Sequence, residues 1–157
     1  MNIRKKALAA VAVCVLAVPV AAAAGATAKP GYNDALVGRW DLTVTIHTQE
    51  PPDLVPLFCD FTVDYQLHCA TKPGNPNPLE GRGVWTMAKD GQFSFWITHH
   101  AHRDENGNPV GSINASHLGK ISANKRKFNT KAHTYIDLNN GSPWQGPVNV
   151  EGAAFRI

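Results

Sequence analysis

Past residue 28 this chain has no long apolar run, no block of like charge, no helical stripe and only two cysteines, and each shortage closes off a class of protein. A membrane-spanning helix needs roughly 20 apolar residues in a row, so no span is expected once the N-terminal segment is gone. Without apolar residues recurring at helical spacing, the all-α and α/β classes lose their support. No nucleic-acid partner is expected, because backbone binding needs a broad positive surface and only the short Lys125-Arg126-Lys127 run is basic. No serine sits in a Gly-x-Ser-x-Gly setting, and no glycine-rich loop lies between a strand and a helix, so neither an activated nucleophile nor a phosphate cradle is legible. Neither Asp60 nor Asp64 has a partner carboxylate in the pattern, and nothing implies a cofactor or a resident metal.

What is present begins with the leader. Arg4, Lys5 and Lys6 form a basic head, residues 7–20 are apolar apart from Pro19, and Ala26-Thr27-Ala28 is a small-residue cleavage site. That order predicts a secretory signal peptide over residues 1–28 and a single β-barrel domain over residues 29–157, placing the mature protein outside the cell. Cys14 lies inside the apolar run without the small residue a lipid-anchor motif needs before its cysteine. The leader also removes three of the fifteen basic residues and none of the twelve acidic ones, which leaves the mature domain near neutral with its histidines uncharged.

Cys59 and Cys69 then remain, an even pair in an oxidising compartment. Residues 57–69 alternate, with Leu57, Cys59, Phe61, Val63, Tyr65, Leu67 and Cys69 on one side. A single strand would hold cysteines ten residues apart about 33 Å from each other, whereas a hairpin centred near Asp64 sets them opposite one another. A disulfide is expected there.

Alternation of period two runs through the rest. Trp40, Leu42, Val44 and Ile46 share a face, and Pro51, Pro52 and Pro56 are read as the connector that follows them. After the 57–69 hairpin, the proline-rich loop 71–78 leads to strands over 81–87, 93–102, 110–121, 128–138 and 148–157. Turns at Lys89-Asp90-Gly91-Gln92, 104–108, 124–127 and Asn139-Asn140-Gly141 separate them. Eight successive hairpin-linked strands in so short a domain must hide their edges. The expected fold class is therefore all-β, an eight-stranded antiparallel up-and-down (lipocalin-like) barrel. A sandwich is the competing architecture, and pairing of the first strand with the last decides between them.

Leu36-Val37-Gly38-Arg39-Trp40 carries the Gly-x-Trp pattern of the lipocalin and calycin barrels, where the tryptophan packs across the closed end. Gly81-Arg82-Gly83-Val84-Trp85, an aromatic-alternating strand, an Asp-x-x-Gly turn at 104–107 and a glycine-containing last strand ending Arg156-Ile157 follow in order. Together these resemble a family of small secreted bacterial lipocalin-like (calycin-type) barrel proteins over residues 37–157. The resemblance implies a barrel that binds a small apolar molecule; similar barrels elsewhere act as cyclases or isomerases.

Alternate residues line a barrel's lumen. Phe93, Phe95, Ile97 and His99 alternate together, and Ile113, Ala115 and His117 do the same, so His99 and His117 are the candidate ligand-binding imidazoles. Tyr65, on the cysteine face, and Tyr135, on the face of His133, are the candidate phenols. His100 and His102 form a His-x-His pair that His117 or His133 would have to complete as a metal site; ordinary surface histidines are the simpler reading. Trp96 falls on the opposite face from Phe95, awkward for a wet surface, and points either to a mixed lumen or to a covered outer face such as a homodimer contact. Trp40 and Trp85 are expected in the core, with Arg156 closing over Trp40. The leading function is a secreted barrel that binds a small apolar or aromatic molecule. The alternatives are a cyclase, isomerase or dehydratase using a histidine and a tyrosine in the same lumen, and a filled barrel with a structural or interaction role.

Overall fold

The structure is a computed structural model that describes residues 33–76, 78–103, 106 and 109–157. The leader over residues 1–28, Asp104, Glu105 and Gly107 of the expected turn, and the side chain of His102 lie outside the described residues. One turn of 3-10 helix, Asn33–Ala35, precedes eight strands: β1 Gly38–Ile46, β2 Asp53–Phe61, β3 Gln66–Thr71, β4 Glu80–Met87, β5 Gln92–Arg103, β6 Pro109–Ile121, β7 Lys127–Asp137 and β8 Gln145–Arg156. Each pairs antiparallel with the next, and β1 also pairs with β8 from Trp40↔Arg156 to Ile46↔Val150. The sheet is a closed barrel, so the sandwich is excluded. No helix among the described residues is long and apolar enough to cross a membrane.

Alternation does what it should. On β7, Phe128, Thr130 and Ala132 are buried while Lys127, Asn129, Lys131 and His133 are exposed, and the same in–out order runs along β2 and β8. The turns obey their own chemistry: Gly91 takes φ +81°, while Asp90 Oδ1 accepts the Gln92 N–H at 3.1 Å.

Proline 56 departs from expectation. It lies inside β2, opposite Thr43 of β1, rather than in the connector. Its carbonyl accepts the Lys72 N–H at 3.1 Å on the side of β3, and its missing N–H faces that same side. Because β3 ends at Thr71, no ladder bond is lost there, which is where a strand tolerates proline.

The ends of the barrel differ. The lower end, where β1 begins and β8 ends, is sealed. Trp40 is fully buried, its indole N–H donates to the Leu36 carbonyl at 2.8 Å, and its ring meets Phe128 at 4.7 Å. The Arg156 guanidinium lies 4.5 Å from the Trp40 ring and donates to the carbonyls of Val37, Ala35 and Lys125. Trp85 is buried as expected, and Phe61 contacts Trp85, Phe95 and Phe128 edge-on. Cys59 and Cys69 are register partners on β2 and β3, buried and joined as a disulfide.

Candidate functional site in the barrel lumen

Above the aromatic plug the lining thins. On the inward face of the upper half, Val44, Ile46, Val55, Ile113, Ile136 and Val148 are only half-buried, although each sits in register with residues that are buried lower down. Solvent therefore reaches an apolar wall through the upper mouth. Apart from Asp53 at the rim and Arg156 at the base, the described inward side chains include no Asp, Glu, Lys or Arg. Between those two positions the described lining is uncharged.

His117 and His99 stand between plug and mouth. Their place depends on β5 and β6 staying in register, and they do: pairing is unbroken from Gln92↔Lys120 to His99↔Ile113, with irregularity only beyond His99. His117, opposite Phe95, stacks on that ring at 4.2 Å with planes 14° apart. Its Nδ1 is 3.0 Å from Thr130 Oγ1 on β7. Thr130 in turn sits opposite Gly152 of β8, and a Cβ at Gly152 would collide with the Thr130 hydroxyl. Glycine there makes room for the hydroxyl that holds the imidazole.

His99 lies opposite Gly81, the first glycine of the Gly-x-Gly-x-Trp segment. A Cβ at Gly81 would approach His99 Nδ1 to 2.5 Å, so the ring rests on the bare Cα of β4. His99 Nδ1 is buried and has no hydrogen-bond partner among the described residues. An orphaned buried ring nitrogen is uncommon in a structure otherwise well satisfied.

Electrostatics follow from burial. Desolvation, and next the neighbouring His100, pushes the His99 pKa down to about 4; desolvation, and next His99, pushes that of His117 down to about 3. Both imidazoles are neutral at physiological pH, each with one N–H and one bare nitrogen. They can donate and accept hydrogen bonds within an apolar chamber, but they supply no counter-charge.

The two tyrosines are not in the lumen. Tyr65 is a turn residue with φ +64° between β2 and β3, 42% exposed, its ring 5.1 Å from Trp85 at the sealed end. The alternation that placed it beside the cysteines breaks because β2 stops at Phe61 and the turn takes residues 62–65. Tyr135 does share a face with His133, but it is the outer one. It pairs with Asn114, whose side chain accepts from Thr98 and donates to Ser112, and its ring meets Trp144 at 6.4 Å. Sequence reasoning missed Thr130 and Gly81; the signals were a threonine at a core position and a glycine opposite a histidine.

Outside the barrel, Trp96 is 40% exposed beside the exposed Val84 and Leu118, which places it on the outer face as its alternation indicated. His100 is exposed, and His68 and Glu80 pair across β3 and β4 at 3.0 Å. Among the described residues no three His, Cys, Asp or Glu side chains come together as a metal site.

No protein-family model and no curated protein matches this chain. Among solved structures it is similar to EF1p2_mFAP2b bound to DFHBI, with a TM-score of 0.60 and 17% identity over 79% of this chain and 95% of that one. A redesigned β-barrel, b11L5F_LGL, aligns with a TM-score of 0.53 and 16% identity over 79% and 93% of the two chains. At these identities the likeness is one of fold alone, a closed β-barrel.

Proposed function

We propose that this protein is an exported barrel that binds a small apolar or aromatic molecule through its upper mouth, with His99 and His117 at the floor of the site. The observation that carries the reading is an uncharged, solvent-reached apolar wall above two neutral buried imidazoles, one with an unpartnered nitrogen. Burying an apolar body against such a wall supplies roughly 25 cal/mol per Å², and a few placed polar groups orient it, as in small-molecule sites generally. The similar solved barrel bound to DFHBI supports the same use of the fold. The leader over residues 1–28, the buried disulfide and the Gly-x-Trp resemblance support an exported protein of lipocalin-like, bacterial type whose single domain starts near Lys29.

The catalytic alternative needs a second acid–base group near the histidines, and Tyr65 and Tyr135 stand elsewhere. A wholly filled barrel fits the lower half alone. Native mass spectrometry of the protein purified from its own host tests the reading: a small molecule released unchanged on denaturation is expected. Failure to retain any molecule, together with no binding of an apolar fluorescent probe to the folded mature chain, would refute it. N-terminal sequencing of secreted material should begin at or near Lys29.

A further inference from the structure

The chemistry of the lumen narrows what it can hold. His99 rests on Gly81 by its Nδ1 edge, and that nitrogen meets no donor or acceptor among the described residues. A neutral imidazole carries one hydrogen, and an unpaired buried N–H is rarer in proteins than an under-satisfied acceptor. The hydrogen therefore belongs on Nε2, the nitrogen left for the lumen, which makes His99 a donor in search of an acceptor. His117 is held differently. Thr130 takes its Nδ1 at 3.0 Å and Phe95 covers one face of its ring, so its Nε2 is again the nitrogen available to a ligand. The Thr130 hydroxyl can either donate to Nδ1 or accept from it, so His117 suits an acceptor or a donor.

Charge decides the rest. An anion entering this chamber would lose its water and gain no cation from the described inward side chains, which include no lysine or arginine above Arg156 at the base. Unpaired burial of a charge is far costlier than burial of a neutral polar group that finds a hydrogen bond. Resting on the ligand-binding reading above, we propose that the lumen selects uncharged ligands that lead with a single oxygen acceptor, a carbonyl or a hydroxyl, taken by His99 Nε2–H, with His117 four residues lower in the register on the same lumen wall. Carboxylates of the same shape are rejected.

Three probes sharing one ring system separate the terms: naphthalene, 2-acetylnaphthalene and 2-naphthoate, titrated into the mature protein at pH 7 and followed by calorimetry or amide NMR shifts. The acetyl compound is expected to bind about tenfold more tightly than naphthalene, the worth of one net hydrogen bond, and 2-naphthoate more weakly than either. In His99→Phe, which keeps a ring on Gly81, the affinity ratio of the acetyl compound to naphthalene should fall from about ten to about one. Carbonyl-labelled 2-acetylnaphthalene gives a readout independent of affinity. Its C=O stretch should shift to lower frequency in the native protein, and revert in His99→Phe. Equal affinities for all three probes, tightest binding of the carboxylate, or an unshifted carbonyl band would overturn this assignment and leave the binding barrel standing. Binding of none of the three by the folded protein would overturn the binding reading itself, and this assignment with it.

Discussion

The lower and upper halves of this barrel use the same strands to opposite ends. Below, inward positions carry large rings, with Trp40, Phe61, Trp85, Phe93, Phe95 and Phe128 all at most 4% exposed and packed mostly edge to face. Above, the same inward register carries Val44, Ile46, Val55, Ile113 and Val148, smaller aliphatic side chains that are only half-buried. Side-chain size along each strand, not strand geometry, decides which end is core and which is chamber. The two histidines mark the boundary, where a ring still fits but its polar edge has little to bond with.

If that division is right, truncation should hurt in proportion to depth. Trp40→Ala removes a fully buried ring, its hydrogen bond to Leu36 and the seat of Arg156. It should cost about 3–5 kcal/mol in urea unfolding; a loss below about 1 kcal/mol would mean that the lower plug is not the stabilising half. Replacing both Cys59 and Cys69 by alanine removes a short cross-link between adjacent strands at the same end, and should lower stability by about 2–3 kcal/mol. Intact mass before and after reduction with alkylation checks the bond first, two free thiols in secreted protein being the contrary result.

The boundary itself should respond to pH. The folded pKa values of His99 and His117, about 4 and about 3, lie below the ordinary 6.5. Between those limits the unfolded chain takes up protons that the folded one refuses. Stability is therefore full above pH 6.5 and declines as pH falls from there toward 4 and then 3, each histidine contributing up to about 1.4 kcal/mol per pH unit. Urea midpoints from pH 7 to 4.5 should show this decline, with a shallower slope in His117→Gln; a flat profile would place both imidazoles in water. The smallest effect belongs to the mouth. Ile136→Ala trims a half-exposed wall residue and should cost about 1 kcal/mol of stability, while weakening probe binding more than Trp40→Phe does. The reverse ranking would move the site out of the upper half.

Much of this was legible from sequence because strands advertise themselves. The faces of Trp40, Phe95 and Phe128, the disulfide partners, and the inward register of His99 and His117 all follow from period-two alternation between recognisable turns. The errors arose where alternation gives no guidance. Pro56 looked like a terminator because its neighbour on the β3 side, or the lack of one, cannot be read locally. Tyr65 continued an alternation that a turn had already ended, since only the pairing of Phe61 with Leu67 shows where the strand stops. Tyr135 had the right phase relative to His133 and the wrong face, because its own strand says which residues agree but not which side is inside.

By itself, the sequence determined the strands, their order, the cross-link and the neutral, apolar character of what one face of each strand presents, because these depend on neighbours within a few residues. Closure of β1 onto β8, the seating of His99 on Gly81, the bond from Thr130 to His117 and the division into plug and chamber were decided only in the tertiary structure. Each brings together residues from different strands, and the space left between them depends on how all eight pack around one axis.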